Sequence, residues 1–147
     1  MNTPAGAVLQ LEQVNVTVPD GTETLTILDG VDLAVAPGEV VKVTGASGSG
    51  KSTLLAVAAL LRRPNAGRVL VDGVDTFEMN TKQLAKLRNQ RLGMVFQSSN
   101  LFPSLTALQQ VELVAHIAGK LDRAATKRAK DLLDTVGQLF GPIRGGL

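Results

Sequence analysis

Apolar residues alternate with polar ones in some stretches of this chain and run together in others, and the two patterns mark different elements. From Val8 to Val18 the residues Val8, Leu9, Leu11, Val14, Val16 and Val18 are partly alternating and partly continuous, and Pro19-Asp20-Gly21 closes the segment as a turn. From Thr24 to Val35 the apolar residues Leu25, Ile27, Val31, Leu33 and Val35 fall at odd positions, interrupted by Asp29-Gly30, and Pro37-Gly38 makes another turn. Both segments read as antiparallel strands with one solvated face. Val40 to Thr44 is shorter and mostly β-branched, which predicts a strand covered on both faces.

The period then changes. Lys51 to Arg62 is made of good helix formers, with Leu54, Leu55, Val57, Ala58 and Leu61 on more than one face, and this predicts a buried helix ended by Pro64-Asn65-Ala66-Gly67. Arg68 to Asp72 predicts a strand turned by Asp72-Gly73, and Thr81 to Gln90 a polar helix opened by Asn80 or Thr81. Leu92 to Phe96 is a further apolar strand, ended by Gln97-Ser98-Ser99-Asn100. Two helices follow, from about Thr106 to Ile117 and from about Arg123 to Val136, and the tail from Gly137 to Leu147 has no periodicity.

Composition narrows the function classes. The chain has 147 residues, the size of one domain, and no cysteine, which removes disulfides, zinc ribbons and thiol catalysis together. Its net charge is +2 with the basic residues scattered, so charge gives no reason to expect a nucleic-acid partner. The longest apolar run, Leu54 to Leu61, falls short of the ~18–20 residues of a membrane span, and the start has no basic stretch leading into an apolar one. A soluble intracellular protein is the expectation.

One segment carries chemistry. Gly45-Ala46-Ser47-Gly48-Ser49-Gly50-Lys51-Ser52 fits G-x-x-x-x-G-K-[ST], with an apolar strand running in and a helix running out. Glycines permit positive φ, so successive backbone N–H groups turn inward as an anion-binding nest. The helix start adds unpaired N–H groups and the positive end of its dipole. Lys51 supplies an ammonium for the β- and γ-phosphates, and Ser52 a hydroxyl for Mg²⁺. The expected fold is therefore α/β, a P-loop core with an antiparallel β side sheet and the start of a helical subdomain.

Taken together the motifs resemble the ATP-binding domain of ABC transporters over about Leu9 to Gly137. The resemblance is carried by Ile27 to Glu39 leading into the loop, Gly45 to Thr53, Gly67 to Gly73, Leu92 to Gln97, and Asn100 to Ala107. Leu87 to Gly93 is most similar to the branch that works with lipoprotein-releasing and macrolide-export membrane proteins. The resemblance implies that Gly45, Ala46, Ser47, Gly48, Ser49, Gly50 and Lys51 wrap the phosphates of ATP, that Ser52 ligates Mg²⁺, and that Thr53 touches the α-phosphate. Gln97 would reach Mg²⁺ or the attacking water, and residues 98–105 would meet a transmembrane permease. It further implies a second ATP-binding subunit and a cytoplasmic position, peripheral at the inner face of the cell membrane. Where the family has an aromatic residue that stacks on adenine, this chain has Val18, so base contact is expected to be apolar and weaker.

The family's signature, the acidic strand that holds Mg²⁺ and the switch histidine come later than Gln97, and the chain stops before them. The expectation is a truncated ATPase subunit, residues 1–137 followed by an unmatched glycine-rich tail over 138–147, with negligible turnover by itself. Two other readings stay open: a nucleotide-binding fragment that docks on a membrane partner without turnover, and a different P-loop enzyme, such as a small-molecule kinase, that uses Asp72 for Mg²⁺. Asp72-Gly73 reads more simply as a turn, Ile143 to Leu147 as a chance glycine pair, and His116 as a structural histidine.

Overall fold

The computed structural model describes residues 6–96 and 101–140, the last three of them as backbone only. By internal packing the chain divides into two units, Met1–Val95 and Phe96–Leu147. In the first, β1 (Leu9–Asp20) pairs antiparallel with both β2 (Glu23–Val35) and β3 (Ala66–Val71), and β3 pairs with the short β4 (Val74–Asp75). The order across the sheet is β2-β1-β3-β4. Two helices, α1 (Lys51–Ala58) and α2 (Thr81–Arg91), complete this unit. The core joins Leu11, Val14, Val16, Leu28, Val69 and Val71 of the sheet to Val57, Ala58, Leu60 and Leu84 of the helical segments.

The mixed pattern of β1 has a structural cause. Leu11 and Val14 are both fully buried although three residues apart, which strict alternation forbids. The register shifts between them, and Gln13 takes φ 47° there. This bulge is pinned by Asp32, whose carboxylate accepts from the Gln13 backbone N–H at 2.7 Å and from its side-chain amide at 2.5 Å. Two more shifts follow, between Val14 and Val16 and between Val16 and Thr17, the last of them opposite Ile27. That last shift turns Leu28 rather than Ile27 into the core, where odd-position alternation alone places Ile27.

The first helix is shorter than its sequence predicts. Leu60 adopts φ 58°, while the Leu61 N–H donates to Ala56 O at 2.8 Å and the Leu60 N–H to Val57 O at 2.9 Å. That pair of bonds is a Schellman ending, closed by a leucine where glycine is usual. Arg88 of α2 donates to Leu60 O at 2.8 Å and so ties the two helices together. Asn80 caps α2 through a reciprocal capping box with Gln83.

Two expected strands form no ladder. Val40–Thr44 and Leu92–Phe96 belong to none of the strands among the described residues. Val40 is 95% exposed, against the sequence expectation of burial on both faces for its segment, and Val95 of the second segment is fully exposed. A strand's hydrogen bonds come from its neighbour, and β-branched composition by itself supplies none.

The second unit is a helical hairpin of α3 (Ala107–Ile117) and α4 (Arg123–Phe140). Thr106 caps α3 with a second capping box, to Gln109. The Asp122 carboxylate accepts from the Ala125 N–H at 2.7 Å at the start of α4, and Thr126 donates across to Glu112 at 2.7 Å. The last helix runs through Gly137, the expected boundary, to Phe140. One interior glycine costs a helix about 1 kcal/mol, which the hydrogen bonds continuing past it offset.

Candidate functional site

The phosphate loop sits where β2 and α1 meet. Gly50 is the N-cap of α1 at φ 84°, and the Leu54 N–H donates to its carbonyl at 2.8 Å, which starts the helix on the residue after the loop. A Cβ on Gly50 would stand 2.8 Å from Ile27 O and 3.0 Å from Leu28 Cδ2. The loop therefore rests on β2 at the bulge that turns Leu28 inward, and only glycine permits both the contact and the dihedral. Gly48, at φ 81°, meets no neighbouring atom, so its requirement is conformational. Residues 45–49 of the loop are exposed, and one N–H, that of Ser49, donates to Ala46 O at 3.3 Å.

Lys51 is the first residue of α1, and its ammonium turns back over the loop. It donates to Gly45 O at 2.9 Å, Ala46 O at 2.5 Å and Ser49 Oγ at 3.3 Å. An ammonium has three N–H bonds, and here all three are engaged. Any further acceptor can engage this ammonium only by displacing one of these three. Ser52 is exposed on the first turn of α1, and Thr53 beside it is half-buried. Among the described residues no acidic side chain hydrogen-bonds to Lys51 or Ser52, and no cluster of metal-ligating side chains occurs. Ser52 alone suits Mg²⁺, which keeps several waters and takes most of its remaining ligands from phosphate.

Of the residues singled out in the sequence, Gly45 to Thr53 are brought together as one loop and helix start. Gln97 lies outside the described residues, as do Ser98, Ser99, Asn100 and Ile143 to Leu147. Leu101 and Phe102 are exposed on a turn in which the Leu105 N–H donates to Phe102 O at 3.0 Å. Gln110 of α3 holds that turn from both sides, donating to Phe102 O at 2.6 Å and accepting from the Phe102 N–H at 3.3 Å.

Asp72 is kept from the loop. It occupies a tight turn with Gly73, at φ 49° and 76°, and faces Arg91 at 3.5 Å. Its N–H donates to Val8 O, one residue before β1, whereas the loop rests on Leu28, the partner of Val16. Seven or eight residues of strand separate the two places, about 25 Å. His116 lies in the last turn of α3 and is exposed.

The segment thus has the sequence and the glycine geometry of a P-loop, built on an antiparallel sheet and one helix. Residues 28–143 match the family model described as ABC transporter, and the chain belongs to that family. It is 41% identical over 137 residues to the lipoprotein-releasing system ATP-binding protein LolD of Shewanella frigidimarina, covering 93% of this chain and 57% of that one. It is 39% identical over 132 residues to the macrolide export ATP-binding/permease protein MacB of Burkholderia pseudomallei, covering 90% of this chain and 20% of that one. Among solved structures, the dimeric ATP-binding cassette MJ0796 in a post-hydrolysis state bound to ADP and Pi is similar at a TM-score of 0.76 and 37% identity. That match covers 86% of this chain and 56% of the cassette. The chain spans about half the length of the LolD proteins it matches.

Proposed function

We propose that this chain binds the phosphates of MgATP at Gly45 to Thr53, as the nucleotide-gripping part of an ABC transporter ATPase subunit. The single observation that carries the reading is the Lys51 ammonium held against the carbonyls of a loop whose glycines, Gly45, Gly48 and Gly50, take positive φ at a helix N-terminus. The positive charge of Lys51 and the positive end of the α1 dipole lie at the same helix start, which suits a multiply charged anion. Ser52 supplies the protein oxygen for Mg²⁺, and Gln97 is the proposed contact to the metal or the attacking water.

In the full-length form, the proposed activity is hydrolysis of MgATP coupled to transport across a membrane. The subunit would work as a pair with a second ATP-binding subunit and dock on a transmembrane permease from the cytoplasmic side. Residues 98–105 are the proposed docking segment. Its described part supports this, because Leu101 and Phe102 are exposed apolar side chains on a turn that Gln110 fixes. No helix among the described residues is long and apolar enough to cross a membrane, so attachment through a partner is the proposed route. The kinase reading loses its metal ligand, since Asp72 is held in a turn far from the loop.

Isothermal titration of the 147-residue chain with MgATP tests the reading, with Lys51→Met as the paired variant. Saturable binding at a stoichiometry of one is expected, weakened at least tenfold in the variant. Equal binding by the two proteins would remove the loop from the site. Hydrolysis followed in the same samples is expected to be negligible.

A further inference from the structure

At the end of α1 away from the phosphate loop, the first unit holds a second recess. It is a cavity of about 130 Å³ between the turn that ends α1, the start of β3, the segment after β4 and α2. Leu60, Val69, Leu84 and Thr76 are buried and make its floor. Arg62 is half-buried, Arg63, Arg68 and Phe77 are exposed, and these four make its rim. The described residues that line it thus include three guanidinium groups and no carboxylate.

The three guanidiniums are not equivalent. Arg68 is paired with Glu12 at 2.6 Å and has Asp75 at 3.9 Å. Arg62 and Arg63 have no carboxylate partner among the described residues. Backbone carbonyls hold them instead: Arg62 donates to Thr17 O at 3.2 Å, and Arg63 to Phe77 O at 2.9 Å and to Met79 O. Of the five N–H bonds that each guanidinium carries, Arg62 uses one and Arg63 two, and the rest are open to a ligand. Carbonyls position these groups without cancelling their charge, so an anion at the rim meets two oriented cations suited to bidentate contact.

The floor favours a different chemistry. Thr76 donates its hydroxyl proton to Val69 O at 2.9 Å, and Leu60, Val69 and Leu84 are aliphatic. A buried water needs two to four polar partners, whereas an apolar cavity of about 150 Å³ admits benzene. Inorganic phosphate would leave this floor uncovered, and a neutral apolar molecule would leave the two cations unmatched.

We propose that the recess is a binding site for a small carboxylate with a compact apolar body, the body on Leu60, Val69 and Leu84 and the carboxylate on Arg62 and Arg63. The site is distinct from the phosphate loop, because α1, eight residues and about 12 Å long, lies between them. It stands whether or not nucleotide binds at Gly45 to Thr53.

Amide NMR titration of the full chain with benzoate tests it, beside benzamide, which lacks the charge, and acetate and inorganic phosphate, which lack the apolar body. Benzoate is expected to bind with a Kd of about 1 mM or below, and each comparison ligand about tenfold or more weaker. Its shifts should concentrate over residues 60–69 and 76–84. Arg62→Gln and Arg63→Gln are each expected to weaken benzoate about fivefold or more, and Lys51→Met to leave it unchanged. If either arginine variant fails to fold, the comparison of benzoate with benzamide in the unaltered chain decides. Benzamide binding as tightly as benzoate, full affinity in both folded arginine variants, or no saturation by about 10 mM would overturn the site. Shifts centred on residues 45–53, or loss of benzoate binding in Lys51→Met, would move the anion to the loop and overturn it too.

Discussion

Gly50 is the residue on which loop, helix and sheet meet. Its left-handed φ lets the loop turn into α1, and its missing Cβ lets the backbone lie against Ile27 O. An alanine at this position must adopt a conformation that L residues reach only at a cost and must also push the strand away. Gly50→Ala is therefore expected to lower stability by roughly 1–3 kcal/mol in chemical denaturation and to abolish nucleotide binding. Gly48→Ala carries the dihedral cost without the clash and is the milder of the two. These requirements were legible in the sequence because the motif itself spaces the glycines and the lysine, although the strand expected to lead into the loop is not formed. The role of Asp32 was not. Nothing in its own neighbourhood marks it as the anchor of a bulge at Gln13, 19 residues away, because that partnership exists only once the register is set.

Among the elements, the hairpins and helices with local signals match their sequence patterns. Asp72-Gly73 turns β3 into β4, and Asn80 and Thr106 open their helices with capping boxes spelled in the sequence by Gln83 and Gln109. Elements whose existence depends on a distant partner do not. Val40–Thr44 and Leu92–Phe96 have the composition of strands but pair with none among the described residues, and Val40, Val41 and Val95 are exposed. Unpaired, apolar, extended backbone is a template for association. The isolated chain is expected to self-associate at micromolar concentration in sedimentation equilibrium. Burying one valine contributes about 1.5–3 kcal/mol, so Val40→Lys or Val95→Lys should weaken that association about tenfold or more. A chain that stays monomeric through high micromolar concentrations would show that these segments find cover some other way.

At the scale of the whole molecule, the chain belongs to one family and has two units, a sheet-and-helix unit that holds the loop and a helical hairpin preceded by the exposed Leu101 and Phe102. The loop assembles from residues 45–53 and its support from residues 27–28, all within the first unit. Nucleotide binding is therefore expected of this chain without any contribution from a second one, although turnover is not. The most direct measurement is a two-dimensional amide NMR titration with MgATP, which reports each backbone N–H separately. Shifts concentrated at Gly48, Gly50, Lys51 and Ser52, abolished by Lys51→Met, are the predicted result. Saturation with these amides unmoved, or with shifts centred elsewhere in the chain, would contradict the assignment of the loop as the site.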